Sequence, residues 1–188
     1  MAGHADEIRL TMQNVALFAE ECIIFVLRWY NLDWFPPVSR EALRRYSRFN
    51  LFTVEIGKAL AHDCMITESR SVGDMTGFNA ETWLQMPVDE ARMYLSRHFL
   101  DFTFALPARD HFKHLLLWTF ACYLCRQAVI RNRRIFISDV LAQLVIIMYS
   151  NYKYLSHYED LDVKATLYNR IHFYLHNPLD YEGLHSAR

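Results

Sequence analysis

Cys122 and Cys125 make a C-x-x-C pair. Redox pairs of that spacing sit at a helix N-terminus, where the helix dipole lowers the thiol pKa. This pair falls in the middle of the apolar run "HLLLWTFACYLCRQAVI" instead. A structural zinc site needs a second ligand pair, and His111 and His114 lie too far along the same helix to supply one. Both cysteines therefore read as core residues. His172 and His176 are spaced i, i+4 and could face one metal ion, but the residues between them are Phe, Tyr and Leu, so the glutamate of a zinc-hydrolase motif is missing. They read as solvated or interface histidines. Arg40, Arg44 and Arg48 repeat every four residues, with Arg45 beside them. Such a stripe suits phosphate or an acidic partner, or is a solvated helix face paired with Glu41. The basic turn "RNRR" at 131–134 is too short for a nucleic-acid tail. There is no glycine-rich phosphate loop, no G-x-S-x-G and no H-E-x-x-H. The expectation is a protein with no catalytic site, no metal and no cofactor.

The elements that would position these residues are helical. Over 6–30 apolar residues recur at three- and four-residue steps, with Asp6 as the expected cap and "PP" at 36–37 as the expected stop. Ser39 is expected to cap a second helix to about residue 66. A loop follows at 67–79, then a short helix capped by Asn79. Pro87 suits a helix first turn, with Asp89 and Glu90 near its positive end. That helix runs to about 105, where Pro107 breaks or kinks it. Further helices are expected up to about 130, over 138–154 with Ser138 as cap, and over about 161–176. No strand alternation is sustained, and there is no internal repeat or linker. We expect one all-α domain over 1–188.

Composition narrows the function classes. The 188 residues are 53% hydrophobic and 15% aromatic, with only 5 Gly and 5 Pro to punctuate them, which favours long helices. The net charge is −1, so bulk charge gives no reason to expect nucleic-acid binding. Cys22, Cys64, Cys122 and Cys125 lie in apolar segments. With acidic residues early in the chain and no leader pattern, they suggest reduced thiols in an intracellular protein. The apolar runs at 115–125 and 135–148 are shorter than the roughly 20 residues a membrane span needs, so no membrane insertion is expected. A domain this small cannot bury so much apolar surface, so part of it should meet another subunit.

One stretch concentrates that surplus. "DWFPPV" at 33–38 sets Trp34 and Phe35 against Pro36 and Pro37. By itself it could be a helix–helix turn that packs its aromatics into its own core. It also resembles the Asp-aromatic-Phe-Pro-x-Val corner of the core proteins of hepatitis B-like viruses. "FKHLLLWTFACYL" at 112–124 is similar to the Phe-Arg-Gln-Leu-Leu-Trp segment, followed by a cysteine, in the descending spike helix of those proteins. "SDVLAQLVIIMYSNY" at 138–152 falls where that family has an apolar assembly helix. The likeness spans about residues 30–155. A longer N-terminal helix, extra residues near Pro107 and the lack of an arginine-rich tail set this chain apart, a divergence that suits the nackednaviruses, non-enveloped fish-virus relatives.

The resemblance implies a capsid subunit. Long helices at about 50–66 and 80–125 would form a spike hairpin and pair two chains into a four-helix bundle dimer, with C-terminal assembly helices at about 138–176 and flanking helices at both ends. Dimers would close an icosahedral shell around the viral genome through contacts of about −4 kcal/mol each. Trp34, Phe35, Pro36 and Trp118 would line an inter-dimer pocket, with Tyr149, Tyr152 or Tyr154 as the inserted aromatic. Arg40, Arg44 and Arg48 are candidate phosphate contacts, while viral nucleic acid would otherwise be met through a basic tail not present in this chain. The implied location is the virion capsid, and the host cytoplasm or nucleus during assembly. Two other classes compete. An apoptosis-regulator-like helical interaction module suits the aromatic content, although its Asn-Trp-Gly-Arg type signature is missing. A metal-dependent helical enzyme would use His172, His176 or the cysteines.

Overall fold

Thr11 starts the first helix. In the computed structural model its hydroxyl accepts the backbone N–H of Asn14, and the Asn14 side chain accepts the N–H of Thr11, closing a reciprocal capping box. The structure describes residues 8–36, 44–45, 47, 49–69, 78–105 and 113–176. Helix α1 spans Met12–Trp29. The expected cap, Asp6, lies outside the described residues. Residues 8–10 are not helical. They run antiparallel to 153–155, with Leu10 N–H donating to Lys153 O at 2.8 Å and Leu155 N–H to Ile8 O at 2.9 Å.

Asparagine, and not the proline pair, ends α1. Asn31 adopts φ 57°, a left-handed conformation that asparagine tolerates better than most residues. Leu32 N–H then reaches back to Leu27 O and Asn31 N–H to Arg28 O, which satisfies the last carbonyls. The same device ends α5 (Lys113–Ile130), where Asn132 has φ 56° and Arg133 N–H bonds Ala128 O at 2.7 Å. The "RNRR" turn is thus a helix terminus. Its arginines have local partners: Arg131 pairs with Glu81 at 3.6 Å, and Arg133 donates to Met86 O at 2.7 Å.

The remaining helices among the described residues are α2 (Val54–Ser69), α3 (Ala80–Gln85), α4 (Val88–Ala105), α5 (Lys113–Ile130), α6 (Phe136–Asn151) and α7 (Leu155–His176). The chain is all-α. Asn79 caps α3 as expected, accepting Thr82 N–H at 2.9 Å, and α4 starts directly after Pro87. Three boundaries differ from the sequence expectation. Helix α2 begins at Val54, where the Thr53 hydroxyl accepts Ile56 N–H, and 49–53 is not helical. The expected cap Ser39 lies outside the described residues. Helix α6 begins at Phe136 with no side-chain cap, so Ser138 sits inside it; Phe136 is drawn into the core against Trp83 before Ser138 is reached. Helix α7 begins six residues before the expected 161, because Tyr158 belongs to its buried face.

Helices α1 and α5 form the centre. Each packs on the other and on both α2 and α6. Helix α7 covers α2 and part of α5, and α4 covers α6. This explains why α1 lacks a polar face: Leu17, Phe18, Cys22, Ile23 and Val26 are all buried, together with Asn14, Glu20 and Glu21. Trp118 occupies the middle, 0% exposed, with the Phe18 ring edge-on at 4.7 Å. Polar pairs fix the outer helices. Arg92 on α4 reaches Asp139 on α6 at 2.8 Å. Asn169 on α7 donates to Glu55 of α2, and Tyr168 to Asp63. The expected 80–125 arm is divided among α3, α4 and α5, and it is α5 that packs on α2.

Candidate functional site

The corner after α1 is built from a helix cap, an anchored indole and two prolines. Leu32 and Trp34 are half-buried and pack against the core. Phe35 is 80% exposed, the most exposed large apolar side chain among the described residues. Exposure alternates along this stretch, with Leu32, Trp34 and Pro36 half-buried and Asp33 and Phe35 exposed. Pro36 fixes φ and restricts Phe35 before it, so the ring is presented outward on a stiff segment. Pro37 lies outside the described residues.

The four residues expected to line one pocket do not share a surface. Trp34, Phe35 and Pro36 are consecutive on the corner, Phe35 exposed and its two neighbours half-buried. Trp118 lies elsewhere. It exposes nothing, and its neighbours Phe18 and His114 belong to the same core. The sequence expectation for Trp118 is corrected on this point: on α5 it faces the central partner α1 and no outside space.

The three tyrosines near the α6–α7 junction have partners within the subunit. Tyr152 lies flat on His114, ring centroids 4.0 Å apart, and burial pushes its phenol pKa up. Tyr149 Oη accepts from Arg9 Nη2 at 3.5 Å. Tyr154 sets its ring against His157, with the Lys153 ammonium 5.6 Å above its centroid. All three keep part of their surface exposed.

Arg40 and Arg48 lie outside the described residues. Arg44 reaches across to Glu21 of α1 at 2.9 Å, and that carboxylate side chain is only 9% exposed. Its guanidinium balances a nearly buried negative charge, which any phosphate contact would have to share. Arg44 and Arg45 are helical, whereas Ser47 and 49–53 are not.

The cysteines are core residues. Cys22, Cys64, Cys122 and Cys125 are free and buried. Burial raises the thiol pKa of Cys22, Cys122 and Cys125 well above the ordinary value, the reverse of what a nucleophile needs. His172 meets His62 of α2 rather than a metal partner on its own helix. The two imidazoles stack at 4.3 Å, 5° from parallel. The His176 side chain lies outside the described residues. Among the described residues no group of three or more His, Cys, Asp or Glu side chains is placed to hold a metal ion. No helix among them is long and apolar enough to cross a membrane.

No protein-family model matches this chain, and neither does any curated protein or solved structure.

Two features escaped the sequence reading. One is the His62–His172 stack, which joins residues far apart in the chain. The other is a shallow apolar groove of about 430 Å³ between α1 and α6, with Met12, Ala16, Leu141, Ala142, Val145 and Ile146 among its walls. Its signal is legible afterwards: small residues Ala16 and Ala142 stand where the two helices cross, flanked by Met12 and Ile146, which are 46% and 53% exposed.

Proposed function

We propose that this chain is a capsid subunit that assembles with itself, from dimers into an icosahedral shell that encloses a viral genome. The observation that carries the reading is Phe35, held 80% exposed on a proline-stiffened corner. Singly exposed apolar side chains are common on protein surfaces; what suits Phe35 to a contact is that the corner holds it outward with little freedom left to lose. Further outward-facing apolar side chains support it: Met93 and Leu100 on α4, and Val163, Leu167 and Ile171 on α7. The resemblance of "DWFPPV" and "FKHLLLWTFACYL" to hepatitis B-like core proteins names the kind of assembly.

On this reading the dimer is a four-helix bundle with a large apolar interface. The subunit has no catalytic role and needs no cofactor. It works in the virion capsid and assembles in the host cytoplasm or nucleus. In the shell contacts Phe35 and Pro36 take part directly, while Trp118 acts only by holding the subunit together. Negative-stain electron microscopy of the purified chain tests this. Closed particles of uniform size support it; a field of small globules at every concentration and salt opposes it.

The α1–α6 groove favours a second reading, a helical interaction module of the apoptosis-regulator type, since an apolar groove can seat an amphipathic helix. Tight 1:1 binding of a helical peptide by a monomer would favour it over the shell.

A further inference from the structure

We propose that the corner bearing Phe35 is a plug and that the α1–α6 groove of a second copy is its socket. The inference rests on the self-assembly reading and specifies one of its contacts. Three observations support it.

First, the plug is preorganised. The half-buried Trp34 anchors the corner from beneath, and Pro36 fixes the backbone beside Phe35. Little conformational freedom remains to be lost when the ring is captured.

Second, the socket fits it. A cavity of about 150 Å³ holds benzene, so a groove of about 430 Å³ admits a phenyl ring together with adjacent backbone. Ala16 and Ala142 leave room where longer side chains would fill it, and Met12 and Ile146 form apolar walls.

Third, the charges give the contact a direction. Asp33 is exposed two residues before Phe35. Near one end of the groove Arg9 Nη2 donates to Tyr149, one turn beyond Val145 on α6. The other end holds Glu20. An incoming acidic corner is drawn toward the Arg9 end.

The occupant is a second copy because plug and socket lie at opposite ends of α1. The corner follows Trp29 at its C-terminus, whereas the groove runs along its first half, from Met12 to Glu20. A contact between two different patches of identical chains is heterologous; alone it closes into rings or runs on as filaments, and combined with the two-fold contact of a dimer it builds a closed shell. One ring in one shallow groove gives a modest contact, as reversible shell assembly requires.

The test uses the full chain and reads the protein concentration at which particles form, by light scattering. Phe35→Ala empties the plug and Ala142→Trp fills the socket. Both sites are exposed, so the folded subunit, checked by circular dichroism, should persist. Each variant is expected to raise the threshold at least tenfold. Asp33→Arg and Arg9→Asp should each raise it severalfold, and the double charge swap should restore it toward wild type. Unchanged thresholds in both Phe35→Ala and Ala142→Trp would overturn the plug-and-socket contact while leaving self-assembly intact. A wild-type chain that forms no particles would remove the self-assembly reading and this contact with it. Capture of a helical peptide in the groove by a monomer that never assembles would also overturn it.

Discussion

His114 lies flat against Tyr152, with ring centroids 4.0 Å apart and planes within 2° of parallel. The stack joins the start of α5 to the α6–α7 turn, and Tyr158 of α7 closes it edge-on at 5.5 Å. It seals the end of the core beside Trp118.

That arrangement makes stability depend on acidity. Burial, reinforced by the charges of His157 and Lys164, lowers the His114 pKa to about 3. The unfolded chain takes up a proton near pH 6.5, while the folded chain refuses it. Between about pH 6.5 and about 3 the unfolded state therefore binds more protons, and stability falls as pH falls. The loss from this group is about 1.4 kcal/mol per pH unit at most, and the contribution is fully present above pH 6.5. Urea midpoints measured from pH 7 to pH 4 should decline less steeply for His114→Phe than for wild type. Equal slopes would show that His114 is not the buried neutral group.

Trp118 provides a separate prediction about the core. With no exposed surface and the Phe18 edge at 4.7 Å, Trp118→Ala should cost about 3–5 kcal/mol of subunit stability. Denaturant unfolding of the dissociated subunit reads this directly. A Trp118→Ala subunit as stable as wild type that fails only in particle formation would place the indole at a contact between subunits instead.

Gly57 makes the third. Alanine normally favours a helix interior over glycine by about 1 kcal/mol. Here a Cβ on residue 57 would stand 2.6 Å from Phe25 Cδ1. The ring of Phe25 also packs against Phe52, centroids 5.6 Å apart, and would have to shift from that contact. Gly57→Ala should destabilise by about 1–3 kcal/mol. A rise in melting temperature would mean that Phe25 moves aside freely.

The thiols make the fourth. All four cysteines are buried and free, and burial raises the pKa of Cys22, Cys122 and Cys125. A thiolate-specific reagent should label the native chain slowly and all four cysteines on denaturation. Rapid labelling of Cys122 or Cys125 in the native state would reopen the redox reading of the C-x-x-C pair.

Helix class and most helix positions were legible in the sequence because long apolar segments with few glycines and prolines show no sustained strand alternation. Asn79 and Pro87 were legible because their chemistry is local. Helix ends set by tertiary contact were not. Thr11 replaces Asp6 as the start of α1 where 8–10 pairs with 153–155. Ser138 loses its expected place to Phe136, whose ring packs on Trp83. Asn31 was passed over because two prolines stood nearby as a more obvious stop. Of the candidate site, the corner itself was legible from its aromatics and prolines, but those residues alone left open whether Phe35 faces outward or packs into its own core. The burial of Trp118 was not, since periodicity along α5 cannot tell a face turned to α1 from a face turned to another subunit. The groove between α1 and α6 joins residues more than a hundred positions apart, which one helix pattern does not reveal.

The central claim is that copies of this chain cover one another's apolar surface. Sedimentation velocity across a wide range of protein concentration and salt tests it most directly. Dimers at low concentration should give way to large particles of uniform size as concentration or salt rises, because salt screens like-charge repulsion and strengthens apolar burial. A single monomeric species throughout that range would contradict it.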